Sequence, residues 1–226
     1  MVPYATLMAL AALPSVLGSP AAPISPRAVT GTSTFYGGNL SGGTCSFTTM
    51  GSLPSGIYGT AFSGSLWNSG GACGTCLDVT GPNGNTIRVM VVDQCNECEQ
   101  GHLDLFQDAF AKLGNISAGK IATSYTQVAC GITSAFSLHN KSGTSSHWFS
   151  MQVVNHNQPI SKLEVSTNGG STWQSTTRRD YNFFENSSGF GTDTVDVKVT
   201  STNGKSITVK GVSVASDTSV TAGSNF

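Results

Sequence analysis

The chain is predicted to be an all-β protein of two domains, a disulfide-stapled module followed by a small β-sandwich. Three observations lead there. With 27 glycines in 226 residues and only 10% charged side chains, the composition favours many turns and few helices. In the second half, apolar and polar residues alternate at the two-residue period of strands. All six cysteines fall between Cys45 and Cys130, so the first module is stapled while the second relies on its hydrophobic core.

At the start, MVPYATLMALAALPSVLGSPAAP combines a short apolar run with small residues. It fits a secretory signal over residues 1–18, although the usual basic start is missing. The run is too short to span a bilayer, and no later segment is apolar for the roughly 20 residues a span needs. Residues 19–30, rich in Pro and Ala and containing Arg27, read as a propeptide or linker. A soluble, secreted, extracellular protein with no membrane partner is expected. The even set of cysteines in an exported chain favours disulfides over thiols. Asn-x-Ser triplets at Asn39, Asn115, Asn140 and Asn186 are candidate glycosylation sites. A formal net charge of −1 offers no basic field for nucleic acid.

The first domain, residues 31–131, shows short strand patterns at STFY, GIYGTAF, CLDVT, TIRVMVVD and KIATSYTQV, broken by glycine-rich turns. LDVTGPNGNTIRVMVV has the form of a hairpin. One helix is predicted, over LDLFQDAFAKL, where Leu103, Phe106, Phe110 and Leu113 recur at three- and four-residue spacing before Gly114. The second domain, residues 132–226, carries the alternating runs AFSLHN, WFSMQVVNH, KLEVS, VDVKVTS and SITVKGVSV, which suggest the sandwich. Trp67 is expected to pack inside, and Trp173 to be a half-buried strand residue, following a turn, that packs on the core.

Candidate chemistry concentrates in VVDQCNECEQGHLDLFQDAF, residues 91–110. A redox CxxC would sit at a helix start in a βαβ setting, and here it follows a strand. Cys95, Cys98, His102 and Asp104 could ligate zinc, but no second ligand pair has finger spacing. A loop disulfide is the favoured reading. Asp93 closes a strand and Asp104 precedes the expected helix, so a folded-back loop would bring both into one cleft. A carboxyl among apolar groups can act as a general acid, while Asp104 could equally cap the helix. His102 and His156 are expected to be structural, hydrogen-bonded residues.

Beyond residue 30 the chain resembles the microbial expansin-like proteins. The motifs that carry the resemblance are GTSTFYGG at 31–38, GGACGTCLDVTGPNG at 70–84, the stretch at 91–110, SSHWFSMQVVNH and DYNFF, in that order. HLD at 102–104 is similar to the family's His-Phe-Asp signature with Leu103 for Phe. The resemblance implies a six-stranded double-psi β-barrel followed by an Ig-like carbohydrate-binding domain. It places the cleft residues at Thr34, Tyr36, Asp93 and Asp104, and the disulfides at Cys45–Cys73, Cys76–Cys130 and Cys95–Cys98. The barrel also resembles family-45 endoglucanases, whose proton donor corresponds to Asp104 and whose catalytic base falls on Gly38. Inverting hydrolysis needs an acid and a base roughly 6.5–9.5 Å apart. With glycine at the base position the resemblance implies a non-hydrolytic protein, without cofactor or metal, that loosens glucan networks. Where many bacterial relatives carry an aromatic two residues after the first acid, this chain has Cys95.

In the second domain the resemblance assigns the aromatic platform to Trp148, Phe149 and Tyr181, with Lys141 as a polar contact. Flat rings stack on the C–H faces of sugars. Neighbours in a regular strand face opposite ways, so Trp148 and Phe149 could share a face only across a bulge or strand start. A secreted monomer acting on cellulose or a related wall polysaccharide (xyloglucan, xylan or chitin) is expected. The alternatives are a weak endoglucanase using Asp104 as acid and Asp93 as base, or a binding-only barwin- or lectin-like module.

Overall fold

The computed structural model describes residues 28–226. The signal segment and most of the propeptide or linker segment lie outside the described residues. Six strands form the first domain: β1 (Val29–Tyr36), β2 (Ile57–Ser63), β3 (Cys76–Thr80), β4 (Thr86–Cys95), β5 (Leu103–Phe106) and β6 (Ile121–Val128). They close into a barrel in the order β1-β5-β2-β4-β3-β6. The β1–β5 and β2–β4 pairs are parallel and the others antiparallel. This is the double-psi barrel. The valine-rich centre of β4, Val89 to Val92, is buried on both faces, as expected of a strand with little polar alternation.

The predicted helix is only half correct. Gln107–Leu113 is helical (α1), whereas Leu103–Phe106 is strand β5. Leu103 and Leu105 are buried and alternate with the half-exposed Asp104 and Phe106, a two-residue period. Slots beside β1 and β2 give this segment backbone partners on both sides, and that non-local pairing outweighs the local helical spacing. Asp104 is therefore a strand residue and caps nothing; Phe106 holds the N-cap position.

All three disulfides join the expected partners: Cys45–Cys73, Cys76–Cys130 and Cys95–Cys98. The first two tie the loop after β1 and the chain beyond β6 to the segment entering β3. The third closes a tight loop at the end of β4.

The second domain packs two sheets face to face. One is ordered β10 (Gln174–Ser175), β9 (Ile160–Ser166), β13 (Thr194–Ser201), β14 (Ser206–Ser213). The other is ordered β11 (Thr177–Arg178), β12 (Phe184–Asn186), β8 (Phe149–Val154), β7 (Ser137–Asn140), β15 (Ser219–Thr221). Phe136, Leu138, Phe149, Met151, Leu163, Val165, Phe184, Val197 and Val199 fill the space between them.

Strand β8 is buried at every position because it is shared. Phe149, Met151 and Val153 point into the sandwich core. Gln152 and Val154 point at the barrel, where Gln152 Nε2 donates to the carbonyl of Cys45 at 2.8 Å and Val154 joins the barrel core. Other bonds cross the seam: Asn182 Nδ2 to Cys45 O, Trp67 Nε1 to Asp180 O, and Cys130 N to Asn157 O. His156 lies over Gly74, where an added Cβ would fall 2.2 Å from the imidazole, and its ring centroid is 6.4 Å from that of Phe47.

Three expectations about single residues are corrected here. Phe149 is fully buried and packs edge-on against Phe190, so it is a core residue and no sugar platform. Asn140 is 2% exposed, its Nδ2 committed to Ser213 O and Thr218 Oγ1, so a glycan has no access to it; Asn39 and Asn115 are exposed and Asn186 half-buried. Trp173 is half-exposed beside the edge strand β10, with Lys198 Nζ 4.4 Å from its ring centroid. It therefore covers the outside of the sheet, whereas Trp67 is packed as expected, 3% exposed.

Candidate functional site

The parallel register of β1 and β5 sets Thr34 directly beside Asp104. Thr34 Oγ1 donates to Asp104 Oδ1 at 2.6 Å. That hydroxyl has only one proton, so it accepts from His102 Nε2, 2.9 Å away. His102 Nδ1 then faces the Thr32 hydroxyl at 2.9 Å as an acceptor. The result is a hydrogen-bonded row with a fixed direction, from Thr32 through His102 and Thr34 to Asp104. Burial, aided by Lys120, holds the imidazole below its ordinary range against the pull of Asp104 and Glu99, which keeps it in the neutral form this row requires.

Asp93, at the end of β4, is held differently. Its Oδ1 accepts from Thr44 N, Thr44 Oγ1 and Gln94 N at 2.7–2.9 Å, and its Oδ2 accepts from Tyr36 Oη at 3.1 Å. It thus fastens the loop after β1 to the barrel. Burial and then the charge and hydrogen bond of Asp93 push the Tyr36 phenol well above its usual range.

Gly38 lies under the rings of this cleft. A Cβ there would fall 2.2 Å from Phe106 Cε1 and 2.5 Å from Tyr36 Cζ, and the two rings meet edge-on with centroids 5.6 Å apart. Beside Asp104 an open groove of about 630 Å³ runs between Thr32, Thr34 and Lys120 on one side and the Cys95–Cys98 loop with Glu97 and Glu99 on the other. The bridged Cys95–Cys98 loop forms an edge of this groove.

On the sandwich, the alternation that buries Phe149 turns Trp148 to the side of Ser150 and Gln152. Trp148 is half-exposed and Tyr181 36% exposed. Lys141 Nζ sits 6.0 Å from the Tyr181 ring centroid and 5.9 Å from that of Phe183. Tyr181 Oη donates to Glu185 Oε1. A run of contacts joins this face to the cleft: Tyr36 to Asp93, Asp93 to Thr44, then Cys45 O to the side chain of Asn182, next to Tyr181.

Thr34 and Asp104 are thus brought together, Tyr36 and Asp93 likewise, and Trp148, Tyr181 and Lys141 share the second domain's face. Sequence reasoning missed Thr32, Thr44 and Glu185, and gave His102 only the part of a structural, hydrogen-bonded residue. His102 carried a signal, since HLD places it two residues before Asp104 and hence on the same face of any strand. Thr44 carried none, because its partner Asp93 is distant in sequence, while Glu185 lies only four residues after Tyr181 and was passed over because burial of its side chain comes from the strand pairing with β8.

A double-psi barrel with a carboxylate-bearing cleft, joined through a shared strand to an aromatic-faced sandwich, is a distinct class of two-domain β protein. The family model for the Expansin N-terminal domain matches residues 4–126. Expansin-YoaJ of Bacillus subtilis is 36% identical over 179 residues, 77% of this chain and 74% of the relative. Expansin-like protein 5 of Dictyostelium discoideum is 29% identical over 211 residues, 90% of this chain and 88% of the relative. The crystal structure of the apo expansin of Clavibacter michiganensis superposes with a TM-score of 0.78 at 35% identity, covering 88% of this chain and 98% of that one. An Asp-to-Asn mutant of the Clavibacter expansin, crystallised in complex with cellohexaose, matches with a TM-score of 0.78 at 34% identity. The chain belongs to the expansin family.

Proposed function

We propose that the chain is a secreted, non-hydrolytic wall-loosening protein that binds cellulose or a related wall glucan and disrupts its non-covalent contacts. The observation that carries this reading is the filled base position. A carboxylate at Gly38 would collide with Tyr36 and Phe106, and the other nearby acid, Asp93, already accepts four hydrogen bonds. Gly38 thus supplies no carboxylate and both oxygens of Asp93 are engaged, Oδ1 by Thr44 and Gln94 and Oδ2 by Tyr36. No unengaged base therefore stands ready to activate water, and losing one acid–base participant typically removes about 10²–10⁴-fold in rate. Asp104 then acts as a hydrogen-bond acceptor for sugar hydroxyls. The cellohexaose complex of the Clavibacter relative supports a glucan chain as the ligand.

In this reading the barrel cleft, with Thr34, Tyr36, Asp93 and Asp104, holds one chain while Trp148, Tyr181 and Lys141 rest on the polymer surface. Loosening follows from differential binding of slipped chains, without bond cleavage. The test compares soluble reducing ends from swollen cellulose with filter-paper weakening, for wild type and Asp104→Asn. No turnover in either protein, with weakening reduced in the mutant, is expected. Wild-type turnover that vanishes in Asp104→Asn would make this a glycosidase.

A further inference from the structure

We propose that Glu185 is a positioning residue for the sandwich's sugar-binding face, a buried carboxylate that holds the Tyr181 ring in place by taking its phenolic proton. This rests on the reading of Tyr181 as part of the polymer contact. Glu185 lies on β12 opposite Ser150 of β8, on the sheet face that Trp148 shares. Its side chain is 6% exposed, although it carries a charge. Each oxygen has donors: Oε1 takes the O–H of Tyr181 and of Ser150, the latter at 3.1 Å, and Oε2 takes Arg179 Nε at 2.8 Å. Burial works against this charge, and the bonds from Tyr181, Arg179 and Ser150 more than offset it, so the carboxyl stays below its ordinary range.

A ring that is 36% exposed and fixed only at its Cβ would turn about its side-chain torsions. With Oη bonded to Glu185 at one end and Lys141 near one face, the ring is held before any sugar arrives. The O–H also points inward, so the outward side of Tyr181 is left as an apolar face for stacking. Ordering a side chain on binding costs on the order of 0.5–1.5 kcal/mol, which converts to roughly a two- to tenfold change in affinity.

The experiment is depletion binding of the full chain to crystalline cellulose. Tyr181→Phe keeps the ring and removes only the bond to Glu185, and Glu185→Met removes the acceptor with little change of shape. Each should weaken binding by roughly two- to tenfold, and the double variant should lose no more than the worse single one, because both remove one interaction. Glu185→Gln, which still offers an oxygen, should bind nearly as wild type. The Tyr181 phenol, pushed up to about 12 by burial and then by the hydrogen bond and charge of Glu185, should titrate closer to an ordinary tyrosine in Glu185→Met. The phenolate absorbance, with Tyr181→Phe as reference, reads that shift. Wild-type binding by Tyr181→Phe, beside a large loss in Tyr181→Ala, would overturn the positioning role while leaving the platform intact. Additive losses in the double variant would overturn it too. Wild-type binding by Tyr181→Ala would remove the platform, and the proposal with it.

Discussion

Thr34 shows how one side chain can set the state of its neighbours. Its single proton goes to Asp104, which forces His102 to present Nε2–H and leaves Nδ1 to Thr32. Thr34→Val should therefore leave a carboxylate and an imidazole N–H without partners in a half-buried cleft, costing about 1–3 kcal/mol. Thr34→Ser should recover most of that; urea unfolding of the three proteins checks the order. Gly38 supplies the converse case. Gly38→Asp must displace Phe106 and Tyr36, so it should destabilise by about 1–3 kcal/mol and should not create turnover in a reducing-end assay. The bare presence of a glycine at the base position was legible in the sequence; the rings that fill the space above it were not, because Phe106 is 68 residues further along the chain.

At the scale of elements, what was legible depended on how local the deciding contacts were. Alternation in WFSMQVVNH predicted a strand and also held the reason that Trp148 and Phe149 diverge. The core claims the larger share of that strand, and Phe149 went with Met151 and Val153. In LDLFQDAF the helical spacing of Leu103, Phe106 and Phe110 was genuine, yet β1 and β2 offered hydrogen bonds that no local pattern records. Each disulfide also belongs to an element and should behave accordingly. Replacing Cys76 and Cys130 by Ser opens a span of 54 residues and should cost about 2–4 kcal/mol. Replacing Cys95 and Cys98 opens a span of 3 residues; it should barely move the melting temperature but should alter cellulose binding through the groove edge. Calorimetry and depletion binding on both pairs distinguish the two outcomes.

For the whole molecule, stability should follow the histidine at the seam. Burial, with the charge of Arg178, lowers the pKa of His156 from an ordinary 6.5 to about 4, although its bond to Gln158 O pulls the other way. Between those values the unfolded chain binds the proton that the folded chain refuses, so stability rises with pH across this window. It is fully present above about 6.5 and is lost as pH falls towards 4, by about 3 kcal/mol in all. Thermal unfolding across that range should show this acid limb in the wild type and a flatter one in His156→Asn. An unchanged slope would mean that His156 does not control it.

The seam also has a bearing on descent. Gln152 and Asn182 both reach the carbonyl of Cys45, Trp67 reaches that of Asp180, and His156 fills the space that Gly74 leaves open. Domains strung on a loose tether can accumulate changes independently, but here a substitution on one side is felt as a lost partner or a clash on the other. The two halves are bound to a common history: lineages that alter Gly74 or the Cys45 loop should alter His156, Gln152 or Asn182 with them, and a barrel transplanted onto a foreign sandwich should arrive without its partners.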